Sequence, residues 1–165
     1  MPINPNTASA MMAIGADPRD TDESPRRTDA DDALVDLQTR TMDAQAGYDT
    51  MVEKAEPEFR PVASKFRDLH AAHAMTLAPM LAVRGLDGEA SVSVMGSINK
   101  AVVTVRALFD DIDIGVMDRI RSGEAHVREA FEVATGSGLA GAELRHVLQM
   151  RDELDRLLSD TRHLC

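Results

Sequence analysis

The 165-residue chain has no tryptophan, one tyrosine and four phenylalanines, so only 3% of it is aromatic. Its core must be filled by Leu, Val, Met and Ala, and ten methionines within a 44% apolar composition suit packed helices. The single cysteine, Cys165, excludes an internal disulfide and a thiolate metal cage, and fits a reducing compartment. No apolar run approaches the roughly 20 residues needed to span a bilayer. The small-residue stretch Ala8 to Ala16 has no basic residue before it and reads poorly as a signal peptide, so the cytoplasm is the expected location. Cations are scarce as well: 18 Lys and Arg stand against 28 Asp and Glu, a net charge of −10. Phosphate affinity comes from clustered cations, so nucleic acid and anionic membrane are not expected partners. There is no glycine-rich phosphate loop, no His-Glu-x-x-His and no strand-period run, and most enzyme classes fall with them.

What is present is helical periodicity. Residues 1 to 27 hold four of the seven prolines and almost no large apolar side chain, which predicts a disordered tail ahead of a domain over 28 to 165. Thr28 is a plausible N-cap, followed by Asp29, Asp31 and Asp32 at the positive end of a helix dipole. The first helix is expected to reach Ala55, with Leu34, Leu37, Thr41, Ala44, Tyr48 and Val52 on its inner face. Pro57 forces a tight turn, and a second helix is expected from Glu58 to Arg84, bent at Pro79 and stopped by Gly85. Its inner stripe is Phe59, Val62, Phe66, Leu69 or His70, His73 and Leu77. A polar loop and a shorter helix over Val94 to Phe109 form a connection. A third helix capped by Asp113 then carries Ile120, Glu124, Val127 and Phe131 inward. Gly136-Ser137-Gly138 breaks it, and a fourth helix follows from Leu139 to His163, with Ala142, His146 or Val147, Met150 and Leu154 inward. Four long helices with one long connection, between the second and third, describe an all-α four-helix bundle with a helical crossover.

Several local strings carry a resemblance. Gly47-Tyr48 followed by Val52-Glu53-Lys54-Ala55, the Asp113-x-x-Val116-Met117 helix start, and Gly123-Glu124 followed by Ala130-Phe131 occur in this order between Leu34 and Leu158. In order and spacing the chain resembles a bacterial ferritin-like four-helix-bundle family catalogued as a domain of unknown function. The resemblance implies a ferritin-like bundle with no settled activity.

Ferritin-like di-metal centres draw a Glu from each of two helices and a Glu-x-x-His pair from each of the other two. Against that pattern, the third helix offers Glu124 on its apolar stripe, where an unpartnered carboxyl would cost several kcal/mol to bury. The second helix offers His70 and His73, but Arg67 stands where the Glu before His70 should be. Glu143-x-x-His146 has the right spacing in the wrong place, the first turn of the fourth helix, and the middle of the first helix carries Asp43, Gln45 and Asp49. The metal candidates reduce to His70, His73 and Glu124. The competing assignment makes His73 a core histidine, leaves His70 at the stripe's edge, and pairs Glu124 with a His or with Arg67, Arg121 or Arg128, while Tyr48 offers its hydroxyl to a buried polar group.

The expected function is that of a non-enzymatic helical bundle without cofactor, serving association or a stress-related role, with a second copy or another protein as partner. The alternative is a metal-binding bundle, di-iron-like or mononuclear, with iron as the cofactor and oxidoreductase or metal-handling activity.

Overall fold

The computed structural model describes residues 27–86 and 116–163, which form four helices. These are α1 (Asp29–Lys54), α2 (Arg60–Val83), α3 (Val116–Gly136) and α4 (Gly141–Asp160). The chain is all-α, a four-helix bundle, and no strand occurs among the described residues. The connecting helix expected over Val94 to Phe109, the Asp113 cap, Cys165 and all but the last residue of the expected tail lie outside the described residues.

Local chemistry sets the helix ends. Thr28 caps α1: its hydroxyl oxygen accepts the Asp31 N–H at 3.1 Å while the Asp31 carboxylate accepts the Thr28 N–H at 2.9 Å. After α1 the backbone turns extended at Ala55, and Pro57 lies in the short link to α2. Pro61 falls in the first turn of α2, where no N–H is needed; Pro79 lies within the helix on an exposed position, and α2 continues to Val83. At its end Gly85 takes φ +71°, and the N–H groups of Gly85 and Leu86 return to the carbonyls of Ala82 and Leu81. That closure needs a left-handed residue, and it buries Leu86 against the core. Gly138, at φ +93°, separates α3 from α4 as the glycine pair predicted. Helix α1 starts directly after the expected cap Thr28 and ends one residue early, α2 and α4 fall one to three residues inside their expected boundaries, and α3 runs into the first residue of the expected break, Gly136. On α4 the inward residue is Val147, not His146, and the expected inward Ala142 is exposed.

One arginine fixes the order of the helices. Arg84, at the end of α2, donates to Asp31 at the start of α1 (2.6 Å) and to both carboxylate oxygens of Glu143 at the start of α4 (3.1 and 2.6 Å). Three helix ends therefore meet at one end of the bundle, and the short turn after α3 brings its C-terminus there as well. Thus α1 and α4 run one way, α2 and α3 the other, and the chain leaves α2 at the end opposite to that at which it enters α3. Helix α1 packs on α2 and α3, and α4 packs on the same two. Leu34, Leu37, Phe66, Leu77, Phe131, Val147 and Leu154, all fully buried, fill the space between them.

The Asp31 carboxylate is held at about 2, below its ordinary 3.8, by the Thr28 backbone N–H and then by the Arg84 guanidinium. A folded value below the unfolded one contributes stability that is present above pH 4 and lost as pH falls toward 2. Asp31→Asn is expected to cost about 1–2 kcal/mol near neutrality, allowing for solvent screening, with the difference from wild type vanishing near pH 2. Denaturant melts at the two pH values check this; a difference independent of pH would assign the effect to something other than the charge.

Candidate functional site

Spacings of four and three residues place Phe66, His70, His73 and Leu77 on one face of α2, and Ile120, Glu124, Val127 and Phe131 on one face of α3. Both faces turn inward, as does Tyr48 of α1. They meet near mid-bundle in a polar layer bounded by apolar residues above and below. His70, His73 and Glu124 are each at most 1% exposed and Tyr48 is 5% exposed. The edge position expected for His70 is therefore corrected: it lies in the core.

The layer consists of two hydrogen-bonded groups. In the first, Tyr48 Oη donates to Glu124 Oε1 at 2.5 Å, and His70 Nε2 lies 2.9 Å from the same oxygen. An ionised carboxylate only accepts, so the hydrogen sits on His70 Nε2, and three helices are joined through one oxygen atom. In the second group, His73 Nε2 lies 3.0 Å from Glu153 Oε2, and Glu153 Oε1 accepts from Gln149 Nε2 at 2.9 Å, which joins α2 to α4. Aromatic rings link the groups. Tyr48 stacks between Phe66 (5.2 Å) and His70 (5.6 Å), His70 meets His73 edge-on at 6.3 Å, and His73 meets Phe131 edge-on at 5.9 Å.

Three buried polar atoms in this layer have no hydrogen-bond partner: His70 Nδ1, His73 Nδ1 and Glu124 Oε2. Burial, reinforced by the negative charge of Glu124, raises the Tyr48 phenol well above its ordinary 10. Burial likewise lowers the His73 imidazole below 6.5, outweighing the opposite pull of Glu153. The Glu153 carboxylate lies below its ordinary range, through the Gln149 amide first and His73 second. The pair is therefore a neutral imidazole donating to an anion.

Of the three metal candidates, the structure brings His70 and Glu124 into direct contact and turns the Nε2 of His73 away, to Glu153. Among the described residues no group of three or more His, Cys, Asp or Glu side chains is disposed to hold a metal ion. Glu143 is engaged by Arg84 and His146 is exposed, so the Glu-x-x-His spacing of α4 contributes nothing to the centre. Arg67, Arg121 and Arg128 do not reach Glu124; they pair with Asp68, Asp118 and Asp155. Sequence reasoning missed Glu153 as the partner of His73. The available signal was its position next to Leu154 and three residues after Met150, at the border of the buried stripe of α4.

Fold and layer together define the class: an all-helical four-helix bundle with a buried polar centre assembled from every helix. Residues 29–137 match the family described as domain of unknown function (DUF2383), and the chain belongs to that family. The match spans α1 to α3 and stops before α4. No curated protein and no solved structure matches the chain.

Tyr48 is the sole tyrosine in a chain without tryptophan, so its ionisation can be followed by absorbance without interference. Phenolate is expected to form in the folded protein only at a pH well above the ordinary 10, and in the unfolded protein at the ordinary value. Because the folded value lies above the unfolded one, stability falls as pH rises beyond 10. Tyr48→Phe removes one of two donors to a buried carboxylate and is expected to cost about 1.5–3 kcal/mol in a denaturant melt.

Proposed function

We propose that the protein is a non-enzymatic helical bundle on a ferritin-like scaffold, which works in the cytoplasm by association with a partner and not by turnover of a substrate. The arrangement of two antiparallel pairs linked end to end by one long connection is that of the ferritin-like class. The observation that carries the reading is the closure of the central layer: each of its carboxylates is engaged by an imidazole, and each imidazole spends its Nε2 on a carboxylate. Such a network ties specific helices together and defines their register. The outer surface supports association. Residues 28 to 56 carry eight acidic and two basic side chains, which suits a basic partner, and α2 exposes Met75 and Val83 at 78% and 87%.

A second reading, a metal-handling bundle, is favoured by the unpartnered Nδ1 atoms of His70 and His73 beside Glu124 Oε2, since these are donor atoms that iron accepts. The donor set does not fit a dinuclear centre, which asks for carboxylates from all four helices, whereas α1 offers a tyrosine and α2 two histidines.

Thermal melts with and without Fe²⁺ or Zn²⁺ separate the two. No metal-dependent shift is expected in the wild type, and Glu124→Gln is expected to respond identically. A rise of more than about 5 °C in the wild type, abolished by Glu124→Gln or His73→Ala, would establish the metal reading and displace the first.

A further inference from the structure

A groove borders the polar layer on one side. It lies between α1 and α3 with a volume of about 300 Å³, at the lower end of the range for small-molecule sites, and Tyr48 and Glu124 both line it. Its walls are mainly apolar, with Met51 from α1 and Ile120 and Val127 from α3. Two glycines, Gly47 and Gly123, face it from the two helices. A mid-helix glycine costs about 1 kcal/mol relative to alanine. At Gly123 nothing in the fold demands one, because a Cβ there would meet no atom within 4 Å. What the missing side chain provides is the open groove.

The chemistry where Glu124 lines the groove is one-sided. Glu124 Oε1 is loaded by Tyr48 and His70, whereas Oε2, on a residue 1% exposed, has no partner. A buried carboxylate oxygen without a donor is under-satisfied by about one hydrogen bond, and a ligand N–H supplies it. Net charge narrows the class further. The charges lining the groove cancel, Asp43 and Glu124 against Arg40 and Arg119, and Arg40 already pairs with Asp36 at 2.8 Å, so neither an anion nor a cation is favoured there.

The geometry points to a binding site for a neutral molecule of one or two rings, with an apolar body and a single N–H donor that hydrogen-bonds Glu124 Oε2. The site is independent of any metal and goes beyond association as a function. It gives the layer two tasks, joining the helices through one carboxylate oxygen and reading a ligand through the other.

Indole and 1-methylindole test it, since the two differ in the donor alone. In buffer containing a chelator, indole is expected to shift the backbone amide resonances of Gly47 and Gly123 in the full-length protein, and 1-methylindole to bind at least tenfold more weakly. Gly123→Leu, which fills open space with a stronger helix former, is expected to keep the melting temperature and weaken indole at least tenfold. Glu124→Gln, which puts an N–H₂ where the free acceptor stood, is expected to weaken it similarly. Failure of millimolar indole to move either glycine amide, equal affinity for the two compounds, or undiminished binding to a folded Gly123→Leu protein would each overturn the proposal.

Discussion

The bundle is organised around one buried carboxylate. Glu124 lies among Ile120, Val127 and Phe131 on a face that is otherwise apolar, and burying it without partners would cost more than most single packing contacts return. Its demand for donors constrains two other helices. Tyr48 must approach from α1 and His70 from α2, which sets both the rotation of those helices and their axial offset against α3. Apolar packing alone tolerates small slides between helices, whereas a hydrogen bond of 2.5 to 2.9 Å does not. The same requirement propagates to α4, because an inward-turned α2 face that presents His70 also presents His73 one turn later, and His73 in turn needs Glu153.

Elements set by local chemistry were legible in the sequence. Thr28 and Asp31 announce a cap within four residues, Gly85 announces the left-handed stop of α2, and Gly136-Ser137-Gly138 the break after α3, because each feature is decided by backbone geometry and near neighbours. The anomaly at Glu124 was legible too, as a charge on an apolar stripe, and so was the need of Tyr48 for a buried acceptor. What periodicity did not resolve was which of two adjacent residues turns inward. Leu69 and His70 lie about 100° apart on α2, and either fits a stripe read from α2 alone. The choice of His70 is made by Glu124, a residue more than fifty positions away. Arg84 illustrates the same limit: its place at a helix end is local information, but its pairing with Asp31 and Glu143 depends on which three ends the bundle gathers together.

The two halves of the layer differ in kind. Tyr48, His70 and Glu124 are nearly dry, and their mutual distances make the group rigid. His73 and Glu153 form a pair whose carboxylate side chain is one-third exposed and which rests on a Gln149 that is itself exposed. The first group is the larger constraint on helix register, since breaking it leaves an uncompensated buried charge, while water can replace much of what Glu153 receives. Helix α4 is accordingly held by the bidentate contact of Glu143 with Arg84 at one end and by a partly wet pair at its middle. The family match, which covers α1 to α3, spans the dry group in full and leaves out both of these α4 carboxylates.

A sequence that specifies one fold usually agrees with itself at every level, so disagreements mark places where something other than folding is served. Positions 123 and 124 disagree twice in succession. Gly123 is a weak helix former at an exposed mid-helix site with open space before it, where alanine would stabilise, and Glu124 is a charge on a buried face where leucine would. Either residue alone has a structural excuse: an exposed glycine costs little, and a buried glutamate can lock helix register. Side by side they do what neither does singly, because the first clears the approach along α3 and the second, which lines the same groove, carries an incompletely satisfied acceptor. A purely structural role would require the acceptor but not the clearing.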